Sequence, residues 1–158
     1  MIAFDTNVLV YATSQAPSEK SRRARELVAN GLRSSNTLLL MQTLGEFSSV
    51  ALRKEGMPVG AVSDLVDAWQ RLLPCRAAEP ADLLPALNAV RDHRLSFWDA
   101  LLWATAWRVG VRYLLTEDLQ DGRILEGVRF VNPFEPANDT LLSRILPNAQ
   151  SHPSSTST

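Results

Sequence analysis

Cysteine is nearly missing from this chain. The single Cys75 excludes an internal disulfide framework and any zinc or iron–sulfur site built on several cysteines, and it suits a reducing compartment. Histidine is scarce as well, present only as His93 and His152. No apolar run approaches the roughly 18 residues that span a bilayer, and no basic segment followed by an apolar stretch opens the chain. The expectation is a cytoplasmic protein with no membrane contact. No Gly-x-x-x-x-Gly-Lys loop occurs, which excludes nucleotide hydrolysis of the P-loop type. An excess of one charge is lacking too. Sixteen Lys and Arg face seventeen Asp and Glu for a net charge of −1, so the total points to no polyanionic partner.

What is present suffices for one domain. The 158 residues are 46% hydrophobic and 21% charged, and at this length roughly 68–70% of the unfolded surface can be buried. Apolar Ile2-Ala3-Phe4 reads as a strand ending on Asp5. Ser18 is placed to cap a helix with Ala24, Leu27, Val28 and Leu32 on one face. Thr37 to Met41 reads as a buried strand, and Leu44, Phe47 and Ala51 open a helix that ends near Gly56. Val59, Val62, Leu65, Val66, Trp69, Leu72 and Leu73 form the apolar stripe of the next helix, stopped by Pro74. A short strand is expected around Cys75 to Ala78, then a helix from Pro80 to Asp92 that Pro85 should bend or interrupt.

Ser96 caps the most apolar helix, Phe97 to Val109, which Gly110 closes. Such a helix belongs in the middle of a domain. Val111 to Thr116 and Val128 to Val131 read as further strands. Alternating strands and helices predict an α/β fold, a mostly parallel sheet flanked by helices in an α/β/α sandwich. The expected domain covers residues 1–135. The packing of 136–150 is open, and Ser151 to Thr158 is expected to be a disordered Ser/Thr/Pro tail.

Ligands of open parallel sheets bind beyond the carboxyl ends of the strands. Acids cluster at just those positions. Asp5 follows the first strand, and Glu46 lies in the first turns of the helix after the second. Glu117, Asp118 and Asp121 follow the later strand, and Asp99 sits in the first turn of the buried helix. Taken singly, each has an ordinary structural reading. Asp5 would end a strand in an Asx turn, Ser96-x-x-Asp99 matches a capping box, Glu46 would be a solvated helix residue, and Glu117 to Gly122 a polar turn.

Together these readings fit poorly. Carboxylates about 4 Å apart repel by roughly 4 kcal/mol per pair at an effective dielectric near 20, so a cluster needs protons or cations between its members. Oxygen-only ligands suit hard cations, Mg²⁺ or Mn²⁺. Neither histidine belongs to the set, which disfavours zinc. Hard cations on an acidic rim serve phosphoryl chemistry, as in a nuclease or phosphatase.

Several stretches recur in an order that carries a resemblance. They are Phe4-Asp5-Thr6-Asn7-Val8-Leu9-Val10-Tyr11-Ala12, Gly45-Glu46-Phe47, Leu95-Ser96-Phe97-Trp98-Asp99-Ala100-Leu101, Leu114 to Gly122, and Val131-Asn132-Pro133-Phe134. With them the chain resembles a PIN-domain ribonuclease and, more narrowly, the VapC toxins of bacterial type II toxin–antitoxin modules. The match runs from about residue 1 to 135.

The resemblance implies a Mg²⁺-dependent endoribonuclease acting on RNA, inhibited by a cognate VapB-type antitoxin and usually a homodimer. It matches Asp5, Glu46 and Asp99 to the family's first three acids and leaves the fourth open between Asp118 and Asp121. Thr6, Asn7 and Thr116 match supporting polar positions. On this basis Asp5 and Asp99 are expected to be the principal metal ligands. Asp118 or Asp121 would complete the sphere, and Glu46 would bind a second metal or orient the attacking water.

Two other classes compete with this one. An aspartyl-phosphate phosphatase would carry a second Asp two residues after the first, where this chain has Asn7. An inactive scaffold binding RNA or protein is opposed by the presence of every acid. Elsewhere, Lys20, Arg22, Arg23, Arg25 and Arg33 against Glu19 and Glu26 give the first long helix a local charge of +3, read as a solvated face before an RNA contact. Trp98, Trp103 and Trp107 read as core or dimer interface rather than base-stacking platforms, and Trp69 reads as core. Cys75 reads as a small apolar residue. Setting aside the five candidate acids leaves twelve acids against sixteen bases, so near-neutrality averages an acidic pocket with a mildly basic remainder.

Overall fold

In the computed structural model, which describes residues 1–147, the chain runs β1 (Ile2–Phe4), α1 (Thr6–Thr13), α2 (Glu19–Leu32), β2 (Thr37–Leu40), α3 (Met41–Arg53), α4 (Val59–Leu72) and β3 (Cys75–Arg76). It continues through α5 (Leu83–His93), α6 (Phe97–Arg108), β4 (Tyr113–Leu115), β5 (Ile124–Leu125), β6 (Val128–Val131) and α7 (Asp139–Ile145). The strands form one sheet in the order β3-β2-β1-β4-β6-β5. All pairings are parallel except β5 with β6.

Period-two alternation divides the sheet's side chains between two cores. Ile2, Phe4, Leu39, Leu115 and Val131 face one core with residues of α1, α2, α3, α4 and α7. Ala3, Leu38, Leu40, Leu114 and Phe130 face the other, against α5 and α6. The expected α/β/α sandwich is the observed fold. Its sheet order turns back at β1, whose neighbours are β2 on one side and β4 on the other. A crevice outside the carboxyl ends of two strands that diverge in this way is the ligand site of open α/β sheets.

Three elements were not expected. α1 is written in the β-branched Thr6-Asn7-Val8-Leu9-Val10, yet burial of Val8 and Leu9 against neighbouring helices outweighs its poor propensity. β5 pairs with β6 through Glu126 and Gly127, both at positive φ (46° and 82°), as a type I′ hairpin turn requires. α7 is short, but Leu142 and the following Leu146 enter the first core.

Details differ elsewhere. Met41 begins α3 rather than ending β2. Pro85 does not interrupt its helix, because it lies in the first turn of α5, where its missing N–H has no carbonyl to serve. Val59 and Leu72 lie outside the buried stripe and are exposed. α6 is buried from Ala100 to Ala106, while Trp98 and Trp107 are exposed at its ends. Trp103 is core and donates from Nε1 to the Leu125 carbonyl at 3.2 Å. The tail from Ser151 lies outside the described residues.

Candidate active site

The crevice between β1 and β4 holds Asp5. Its backbone N–H extends the ladder to the Leu115 carbonyl (2.9 Å), which fixes the side chain just beyond the strand end. Asp5 is also the N-cap of α1: Oδ1 accepts from the Thr6 amide at 2.6 Å. Oδ2 accepts from the Thr116 hydroxyl at 2.7 Å. The carboxylate is 5% exposed.

Burial pushes its pKa up from 3.8 to about 6, the Thr116 hydroxyl and Thr6 amide oppose the rise, and the charges of Asp118 and Glu46 add to it. Asp5 thus caps α1 rather than closing the Asx turn its sequence position suggested.

Two hydrogen-bonded arms leave this centre. On one, Thr116 Oγ1 also accepts from the Asp118 amide (3.1 Å), and Asp118 Oδ2 accepts from Asn7 Nδ2 (3.0 Å). On the other, Thr6 Oγ1 donates to Glu46 Oε2 (3.0 Å), while Gln42 Nε2 donates to Glu46 Oε1 (2.8 Å) and to the Trp98 carbonyl (3.0 Å). The Gln42 amide thus ties Glu46 to the start of α6, one residue before Asp99.

Asp99 itself turns back on its cap. Ser96 Oγ donates to Asp99 Oδ2 (2.6 Å) and accepts from its amide (3.1 Å). Asp121 belongs to another network: its Oδ1 accepts from the Asn132 amide (2.7 Å) and from Asn138 Nδ2 (2.9 Å), clamping the chain after β6. The structure therefore brings Asp5, Glu46, Asp118, Thr6, Asn7 and Thr116 into one network. Asp99 stands beside it and Asp121 apart.

Two positioning residues escaped sequence reading. Thr43, fully buried, donates to the Phe4 carbonyl (3.2 Å) and seats α3 against the end of β1. Gln42 bridges two helices. Each precedes Glu46 by less than a helical turn or about one turn, but a Thr or Gln there carries no pattern of its own.

Among the described residues, no three His, Cys, Asp or Glu side chains are arranged as a ready-made cation cage. The donor chemistry nevertheless fits a hard cation. The converging ligands are all oxygens, burial and, to a lesser degree, neighbouring charge raise the pKa of the Asp5 carboxylate, and Asn7 Oδ1 and Gln42 Oε1 are buried without hydrogen-bond partners. Such unsatisfied acceptors in an acidic pocket await a donor or a cation.

A family model for the PIN domain matches residues 2–123. The chain belongs to the PIN-domain family. The match includes Asp5, Glu46, Asp99, Asp118 and Asp121 and ends before the β5–β6 hairpin.

Among solved structures this PIN domain is similar to the Mycobacterium tuberculosis toxin VapC20, described as cleaving the sarcin–ricin loop. The TM-score is 0.62 at 18% identity, over 82% of this chain and 99% of that one. At that identity the likeness is one of fold. No curated protein matches the chain.

Proposed function

We propose that this PIN domain is a divalent-cation-dependent endoribonuclease of the VapC toxin type, hydrolysing RNA phosphodiesters. The observation that carries the reading is the buried Asp5 carboxylate at the sheet's switch point. Hydrogen bonds through Thr116 and Thr6 join it to Asp118 and Glu46. Family membership supports it, and so does the fold shared with a toxin described as cleaving the sarcin–ricin loop.

Asp5 and Asp118 would hold the cation, Mg²⁺ with Mn²⁺ as a substitute, and Asp99 would join them by releasing Ser96. When bound, the cation supplies positive charge against the phosphate oxygens and lowers the pKa of water. Thr116 holds the Asp5 carboxylate in orientation, Asn7 does the same for Asp118, and Thr6 and Gln42 aim Glu46. Glu46, half-buried and pinned on both oxygens, orients the attacking water. Asp118 is assigned as the fourth acid, because Asp121 is committed to Asn132 and Asn138.

The same reading assigns a VapB-type antitoxin as inhibitor and the cytoplasm as location. No helix among the described residues is long and apolar enough to cross a membrane. It also assigns a homodimer, for which the exposed Leu83, Leu84 and Leu87 on α5 provide an apolar face.

The test is cleavage of a mixed RNA pool, with the ends sequenced, in Mg²⁺ and in EDTA. Defined cuts in Mg²⁺ alone are expected, lost in Asp118→Asn and retained in correctly folded Asp121→Asn. Cuts that persist in EDTA or in Asp118→Asn overturn the assignment.

A further inference from the structure

One cluster beside the acids has no part in the chemistry above. Lys20, in the first turn of α2, directs its ammonium to the Glu117 carboxylate. The ammonium also lies 5.2 Å from the centroid of the Tyr11 ring and 5.3 Å from that of Phe134, and the two rings meet edge to face at 5.2 Å. One carboxylate and two rings, from three other segments, thus surround one cation. Glu117 immediately precedes Asp118, so the cluster adjoins the acid network through a single peptide unit.

Lys20 and Phe134 also border a cavity of about 230 Å³, shared with Arg23, Pro133 and Pro136. That is smaller than the roughly 300–1,000 Å³ of pockets for drug-sized ligands, and it suits one base with its phosphate. Phe134 and the exposed Pro136 offer surface for a base, and the cations Lys20, Arg22 and Arg23 outnumber the lining carboxylates Glu19 and Asp139, leaving net positive charge for a phosphate.

Each ion pair has one exposed member: Lys20 is 46% exposed against 18% for Glu117, and Asp139 is 60% exposed against 26% for Arg23, so water reaches and weakens both pairs. Arg22 also lines the cavity but is shared between Glu19 and Glu26 on its own helix.

We propose that this cavity is a nucleotide subsite, in which Lys20 leaves Glu117 for the phosphate of a nucleotide flanking the scissile bond while its base packs against Phe134. The link to catalysis rests on the ribonuclease reading; the binding itself does not.

The experiment titrates nucleoside 5′-monophosphates into the full chain in EDTA, following the ring resonances of Tyr11 and Phe134 by NMR. Saturable ring shifts at millimolar concentration are expected with at least one mononucleotide, and not with inorganic phosphate. Lys20→Met keeps the aliphatic stem and should weaken binding about tenfold, as should Phe134→Leu, in line with the loss of one stacking or charge contact. Should Phe134→Leu fail to fold, Lys20→Met decides alone, its fold checked by an unchanged methyl spectrum.

Absent shifts, shifts mapping elsewhere, ring shifts reproduced by inorganic phosphate, or unaltered binding by Lys20→Met would each overturn the subsite. In RNA cleavage, Lys20→Met should raise KM about tenfold with kcat little changed, the pattern of lost ground-state binding. Wild-type protein that binds mononucleotides but cuts no RNA would defeat the ribonuclease reading and leave the subsite standing.

Discussion

Asp5 answers to two demands at once: it caps α1 and it is buried among like charges at the end of β1. Its pKa of about 6 against 3.8 corresponds to about 3 kcal/mol spent on holding it ionised in the folded, cation-free protein. Folding raises this pKa, so the stabilising contribution is complete below pH about 4 and is lost as the pH rises through about 6. Asp5→Asn keeps an oxygen for the Thr6 amide and removes the charge.

In EDTA at pH 7.5 the Asp5→Asn variant should therefore be more stable than wild type by about 2 kcal/mol, with the difference vanishing near pH 4. Thermal unfolding across pH checks this. Mg²⁺ should raise the melting temperature of wild type and not of Asp5→Asn, since binding to the folded state alone stabilises it.

At the scale of elements, two contacts hold the layers that carry the site. α2 lies so close to β1 that a Cβ on Gly31 would stand 2.6 Å from the ring of Phe4, which is fully buried. Gly31→Ala should destabilise by about 2 kcal/mol through overpacking, despite alanine's better helix propensity. Denaturant unfolding with an unchanged m-value checks it.

On the opposite side, Arg108 at the end of α6 holds Asp82 by two hydrogen bonds of 2.7 and 3.0 Å and reaches Glu79. Asp82 is 2% exposed, and its pairing with Arg108 keeps its pKa low despite burial. Arg108→Met would strand that carboxylate, at about 3 kcal/mol or roughly 10 °C in melting temperature. Because this pKa is lowered, the contribution fades as the pH falls, opposite in sign to that of Asp5.

Elements with strong local signals were legible in the sequence: Ser18 and Ser96 as caps, the stripe through Val62 and Trp69, and Gly110 closing α6. α1 was not, because tertiary burial of Val8 and Leu9 overrides β-branched propensity. Of the acids the sequence singled out, Asp5, Glu46 and Asp118 meet in one hydrogen-bonded network. Their sorting was not legible, since the pairing of Asp121 with Asn132 and Asn138, and of Asp118 with Asn7, depends on segments more than ten residues away.

For the molecule as a whole, strand order decides what the site can be. Alternating strands and helices predict a parallel sheet, but only the observed order β3-β2-β1-β4-β6-β5 places Asp5 and Thr116 at neighbouring strand ends. The charge of −1 likewise resolves into an acidic crevice and a remainder in which Lys20 sits beside it on Glu117. The most direct test is cleavage of one defined RNA by wild type and Asp5→Asn across a Mg²⁺ titration. The account predicts cleavage that saturates with Mg²⁺ in wild type and falls by at least about a hundredfold in the folded variant, equivalent to roughly 3 kcal/mol of transition-state stabilisation. Full cleavage by Asp5→Asn, or wild-type cleavage indifferent to Mg²⁺, would contradict it.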